Sequence, residues 1–219
     1  MNKKFECILI DLDGTIINSG PDLIDSLNYV LKKQKLNTIE KNIIGDLVGG
    51  GAEAMIKKAY NFLGMKIPSK KMNLLIKDFL HFYYINCTRK SYLYDNIESS
   101  LRLLNSGFKI GLCTNKKQDL TEKILYHFKL DKYLNLVVGS TPGLKLKPDV
   151  EMLEYSLKTL EAKAKNSIMV GDSCNDIIPA KKLGMKSIFV NYGFGSLNKS
   201  IQADYSVDKF SEIIKIVNS

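Results

Sequence analysis

Two carboxylates two positions apart, Asp11 and Asp13, close the apolar run I-L-I-D-L-D-G-T-I at Ile8–Ile16. A buried strand that ends this way puts negative charge at the carboxyl edge of a sheet, where open α/β folds bind ligands. Side by side the two acids repel unless a cation sits between them. The chemistry implied is a bound metal and a carboxylate able to attack. The same residues also fit a plain strand followed by an Asp-Gly turn. Three later stretches carry further reactive groups. C-T-N-K places the Thr114 hydroxyl and Asn115 at the end of an apolar run. A helix expected to start just after Thr114 would offer backbone N–H groups to an anion, although T-N also makes an ordinary N-cap. G-L-K-L-K-P-D sets Lys147 before Pro148, which favours an extended backbone there. Its ammonium suits a phosphate or crowded carboxylates; alone it reads as a solvated loop lysine. V-G-D-S-C-N-D spaces Asp172 and Asp176 by four residues, about one helical turn. If that strand lies beside the first, four acids converge. An all-oxygen set without histidine suits Mg²⁺ better than zinc.

Short apolar runs able to position these groups recur at Ile8–Asp11, Lys109–Thr114, Leu136–Gly139, Ser167–Asp172 and Ser187–Asn191. They are apolar on both faces, as buried parallel strands are. Amphipathic stretches alternate with them: Ile97, Leu101 and Leu104 before Gly107; Leu120, Ile124 and Phe128; Val150, Leu153, Leu157 and Leu160 behind Asp149; Ile177, Ala180 and Leu183 before Gly184. This alternation predicts an α/β fold, a doubly wound parallel sheet of five main strands. Residues 18–92 break the pattern with helical signals only: Pro21 in a first turn, then Leu23, Leu27, Val30 and Leu31; Met55, Ala59 and Phe62 before Gly64; and Leu74 to Phe82. The expected organisation is an α/β core of residues 1–17 and 93–219 with an all-helical insertion at 18–92. Because the insertion leaves the chain beside Asp13, a lid is the favoured reading over helices that merely thicken the core.

Composition narrows the classes. Of 219 residues 45% are hydrophobic, enough for a core. No apolar run approaches the roughly 20 residues that cross a bilayer. The basic, then apolar, start is too short for an export signal and is interrupted by Asp11 and Asp13, so a cytoplasmic protein without a membrane partner is expected. Cys7, Cys87, Cys113 and Cys174 form no C-x-x-C pair, which fits free thiols in a reducing compartment. The net charge is +9, yet only Arg89 and Arg102 among 32 basic residues are arginine. Nucleic-acid readers lean on arginine, so the scattered lysines read as solvated surface and no nucleic-acid partner is expected.

D-L-D-G-T, the strand-ending T-N, K-P and G-D-S-C-N-D together resemble the haloacid dehalogenase superfamily in order and spacing, over nearly the whole chain. The insertion resembles that family's helical cap. D-L-D-G-T-I-I-N-S-G-P-D-L, V-G-G-G-A-E at Val48–Glu53 and the late N-Y-G-F-G are similar to the phosphoglycolate phosphatase branch. The resemblance implies a Mg²⁺-dependent phosphomonoester hydrolase acting on a small phosphorylated metabolite, 2-phosphoglycolate first, as a monomer or homodimer. It makes Asp11 the nucleophile, phosphorylated in turn, and Asp13 the general acid and base. Thr114, Asn115 and Lys147 would hold the phosphoryl oxygens. Asp11, Asp172 and the Asp13 carbonyl would hold Mg²⁺, with Thr15 and Asp176 behind them. Gly50 in the V-G-G-G run would bring backbone N–H groups to the substrate carboxylate; a flexible inter-helix turn is the other reading. Val150 replaces a second proline common in relatives. Cys174 is an oxidisable thiol or a tolerated small residue. Asp13 argues against a dehalogenase and Thr15 against a sugar-phosphate mutase. Lys57 and Lys58 look like a polar helix face, not the reactive cap lysine of a phosphonate hydrolase. A phosphatase for another small ester or pyrophosphate, and an inactive binding module on the same scaffold, remain as alternatives.

Overall fold

The computed structural model describes residues 4–40, 43–68 and 70–219. The chain divides into two compact units, Met1–Asn18 with Leu93–Ser219, and Ser19–Tyr92. The first is built on a parallel sheet. Its strands are β1 (Cys7–Ile10), β4 (Lys109–Lys117), β5 (Leu136–Ser140), β6 (Ser167–Gly171), β7 (Lys186–Val190) and β8 (Tyr205–Val207), in the order β5-β4-β1-β6-β7-β8. All of β1 is buried, as a central strand covered on both faces must be. The connecting helices are α5 (Ile97–Asn105), α6 (Gln118–His127), α7 (Glu151–Thr159) and α8 (Cys174–Lys182), and α9 (Ile213–Val217) closes the chain. Their apolar stripes bury Leu101, Leu104, Leu120, Ile124, Leu153, Leu157, Ile177 and Ala180.

Register decides what the sheet brings together. Ile10 pairs with Leu112 of β4 on one side and Val170 of β6 on the other. Asp11, Cys113 and Gly171 therefore leave the same edge side by side, with Asp172 one step beyond. Chain order reverses across β1, and a crevice opens at such a switch point.

The doubly wound parallel architecture stands as expected, with two differences. The sheet has a sixth strand, β8, whose three residues alternate in exposure and carry no apolar run. β4 also does not stop at Thr114. It runs to Lys117, and α6 starts at Gln118, so no helix N-terminus lies directly behind Thr114. Two-residue strands β2 (Ile17–Asn18) and β3 (Tyr92–Leu93) form a separate small pair.

The second unit contains α1 (Gly20–Lys33), α2 (Ile44–Leu47), α3 (Gly51–Phe62) and α4 (Met72–Asn86). α1 and α4 pack together, with Tyr29 stacked on Phe82 at a centroid distance of 4.4 Å. The buried Asp22 carboxylate accepts from the backbone N–H groups of Lys90 and Ser91 and from the Ser91 hydroxyl, at 2.7–3.0 Å. It ties the segment after α4 back to α1. The buried face of α3 is Met55, Ile56, Ala59 and Tyr60, and Phe62 lies outside it at 61% exposure.

Candidate active site

Asp11 follows directly on β1, and its N–H donates to the Val170 carbonyl at 3.0 Å. The sheet ladder thus continues one residue past the strand and fixes the Cα of this acid. Asp11, Asp172 and Asp176 form a buried triad in which one carboxylate oxygen from each lies within 4.8 Å of the others. Lys147 enters from the loop after β5. Its ammonium donates to Asp11 Oδ1 at 2.9 Å, Asp176 Oδ1 at 2.6 Å and the Cys113 carbonyl at 2.6 Å. Burial alone would pull its proton off, but Asp11 and Asp176 outweigh that and hold it above the ordinary lysine range. Lys147 is a fixed positive charge.

Asn115 holds this lysine by its backbone. Its Nδ2 donates to the Lys147 carbonyl at 2.8 Å and its Oδ1 accepts from the Lys147 N–H at 2.9 Å. The Lys147–Pro148 peptide is cis. Asp176 is engaged at both oxygens, since Oδ2 accepts from the Ser173 N–H and hydroxyl in a capping box that starts α8. Asp176 thus has both oxygens engaged, while the hydrogen bonds to Asp11 and Asp172 take Oδ1 of the first and Oδ2 of the second.

Asp172 is gripped differently. Its Oδ2 accepts from the backbone N–H groups of Phe194 at 2.7 Å and Gly195 at 3.1 Å. These belong to the N-Y-G-F-G stretch, for which sequence reasoning found no role beyond resemblance. Gly193 and Gly14 let the loops close on this acid. A Cβ on Gly193 would lie 2.2 Å from Asp172 Cβ, and one on Gly14, at φ +81°, would lie 2.1 Å from Asp172 Oδ2. Burial, then the neighbouring Asp176 and Asp11 charges, push Asp172 up to about 8. Burial likewise raises Asp11 to about 6, against the pull of Lys147.

Asp13 does not join the triad; its carboxylate turns to a residue that sequence reasoning left without a role. Lys116 Nζ donates to Asp13 Oδ1 at 2.8 Å and Oδ2 at 2.6 Å. A bulge aims that lysine. Cys113 pairs with Val138 and Lys117 with Ser140, so β4 takes four steps where β5 takes two. Bulges beside active sites re-aim side chains in this way. Thr114, also in the bulge, is buried, and its hydroxyl accepts from the Lys116 N–H at 3.3 Å. Thr15 is fully buried; its carbonyl takes the Tyr192 hydroxyl at 2.7 Å and its Oγ1 has no hydrogen-bond partner among the described residues. Cys174 is half-buried, its thiol 3.5 Å from the Ser196 carbonyl.

Three close carboxylates with one shared lysine leave an excess of negative charge. The donors are all oxygen, and burial makes proton or cation uptake favourable at two of them. The set fits a hard divalent cation. In the second unit, Gly49, Gly50 and Gly51 all have positive φ, and Gly50 caps α3.

A sequence model of the haloacid dehalogenase-like hydrolases matches residues 8–190. A phosphoglycolate phosphatase of Colwellia psychrerythraea is 32% identical over 218 residues, 95% of each chain. One of Vibrio parahaemolyticus is 31% identical over 98% of this chain and 97% of its own. Among solved structures, a predicted phosphoglycolate phosphatase from Haemophilus somnus superposes with a TM-score of 0.91 at 27% identity, covering 99% of both chains. A predicted phosphatase from Clostridium acetobutylicum gives 0.84 at 29% identity, covering 97% of this chain and 98% of its own. Matches that run the length of the chain, on a sheet edge carrying the motif acids, place this protein in the haloacid dehalogenase-like hydrolase family, among its phosphatases.

Proposed function

We propose that the protein hydrolyses 2-phosphoglycolate to glycolate and inorganic phosphate, with Mg²⁺, through a phosphorylated Asp11. The observation that carries this reading is the buried contact of Lys147 with Asp11 and Asp176, beside Asp172. It keeps Asp11 ionised and aimed while its neighbours are also acidic.

Asp11 attacks phosphorus, the ester P–O bond breaks, and Asp13 gives its proton to the departing alkoxide. Asp13 then takes a proton from a water that attacks the aspartyl phosphate, releasing phosphate and restoring Asp11. Lys147 and the Thr114 hydroxyl would hold phosphoryl oxygens, and Asn115, bonded to the Lys147 backbone, supports that role. Asp11, Asp172 and the Asp13 carbonyl would hold Mg²⁺, which when bound neutralises charge on the transferring group. Asp176 and Thr15 support these from behind. Gly50 is our candidate for reading the substrate carboxylate, through left-handed backbone that only glycine adopts cheaply. Residues 18–92 act as the specificity cap of residues 1–17 and 93–219. Four free thiols and no helix, among the described residues, long and apolar enough to cross a membrane fit a cytoplasmic enzyme.

Kinetics on a panel of small phosphate esters and pyrophosphate, with Mg²⁺ or with chelator, test the reading. The highest kcat/KM should fall to 2-phosphoglycolate and vanish on chelation. A tenfold preference for another ester would replace the substrate, and turnover indifferent to chelator would remove the metal.

A further inference from the structure

We propose that Lys116 is the residue that positions the Asp13 carboxylate for proton transfer, acting through that carboxylate and not on the phosphoryl group. The inference rests on the acid–base role given to Asp13 above.

The contact is two-pronged, 2.8 and 2.6 Å to the two carboxylate oxygens. An ammonium between both oxygens fixes the direction of the group and leaves an outer lone pair on each for a proton. A one-oxygen contact would leave the carboxylate swinging. Burial agrees. The Lys116 side chain is only 5% exposed, while that of Asp13 is 20% exposed. Lysine is rarely so covered unless it is paired. Here the lysine is enclosed and the acid keeps an open side, the arrangement expected when the acid meets the substrate and the lysine meets the acid.

The strand is deformed to achieve this. Regular pairing would carry β4 past β5 one residue for one. The two extra residues between Cys113 and Lys117 break that register where Thr114, Asn115 and Lys116 lie. One bulge thus delivers a hydroxyl, the clamp on Lys147 and the clamp on Asp13. The two lysines divide the first motif between them. Lys147 takes Asp11, and Lys116 takes Asp13. Asp13 sits in a tight exit where Gly14 holds φ +81°. The two-pronged contact acts on what that backbone does not set, the direction of the side chain. Misplacing a catalytic group by about 1 Å is enough to lose roughly a hundredfold in rate.

Two esters separate positioning from phosphate binding. An alkyl ester such as 2-phosphoglycolate needs a proton delivered to its leaving oxygen, whereas p-nitrophenyl phosphate expels a stable p-nitrophenolate without one. The measurement is the ratio of kcat/KM for the two esters on one preparation, which does not depend on how much of that preparation is folded. Lys116→Met should lower the ratio about 10- to 100-fold, mostly in kcat, and Lys116→Arg should recover part of it. Equal losses on both esters, or a rise in KM for both with the ratio unchanged, would mean that Lys116 binds the phosphoryl group, and the inference would be overturned. Asp13→Asn is measured alongside. If it lowers the ratio and Lys116→Met does not, the acid assignment stands and the role of Lys116 falls. If it leaves the ratio unchanged, the acid assignment itself is wrong, and the inference goes with it.

Discussion

Protons and the divalent cation should compete for the same two carboxylates, so cation affinity and metal-free stability must move in opposite directions with pH. Burial, then Asp176 and Asp11, raise Asp172 to about 8; burial raises Asp11 to about 6 against the pull of Lys147, with Asp176 and Asp13 adding to the rise. In the unfolded chain both titrate near about 4. Between pH 6 and 8 the folded metal-free protein therefore holds protons that the unfolded chain has already lost. Stability must fall as pH rises through that window. Integrating the two titrations gives a loss of about 2–3 kcal/mol, most of it from Asp172. A cation that needs both groups ionised should bind roughly a hundredfold more tightly at pH 8 than at pH 6 by the same linkage. Urea denaturation in chelator and calorimetric Mg²⁺ titration at pH 6, 7 and 8 measure both slopes. Asp172→Asn keeps an acceptor for the Phe194 and Gly195 N–H groups and should flatten most of the stability slope. Mg²⁺ affinity that is level across this range, or an unaltered stability slope in Asp172→Asn, would refute the reasoning.

Lys147→Met leaves Asp11 and Asp176 buried beside each other without their cation. Metal-free stability should drop by about 3–5 kcal/mol in urea denaturation, and adding Asp176→Asn should restore part of that stability but no turnover. An unchanged denaturation midpoint would show that the ion pairs contribute nothing. Gly50→Val places a side chain at φ +77°, 2.9 Å from Ala54 Cβ. It should raise KM for 2-phosphoglycolate about tenfold or more, the scale of one lost charge-assisted hydrogen bond, and leave p-nitrophenyl phosphate little affected. Equal changes for both esters would assign Gly50 a purely structural part.

The sheet was legible wherever strands are buried on both faces. β1, β4, β5, β6 and β7 carry continuous apolar runs, and the helices between them carry stripes at helical spacing. β8 has no such run: its three residues are Y-S-V, the central Ser206 is exposed, and only Val207 is fully covered. The polar T-N-K-K at the end of β4 reads as a helix start, since a bulge has no pattern of its own in sequence. For the same reason Lys116 passes as surface, while Lys147 is set apart by the proline behind it. Asp172 and Asp176 stand out as acids after an apolar run, but the groups that hold Asp172 are backbone N–H donors at Phe194 and Gly195. Main-chain donors carry no residue-type signature. The glycines around them were the only available signal, through the close approach that Gly193 permits.

The most direct test is rapid quenching of the enzyme with substrate labelled at phosphorus, in Mg²⁺, followed by peptide mapping. The label should appear within the first turnover on Asp11, in an acid-stable, hydroxylamine-sensitive acyl phosphate, and be absent from Asp11→Asn. Turnover that proceeds at full rate with no label on the protein, or with the label on another side chain, would contradict the account.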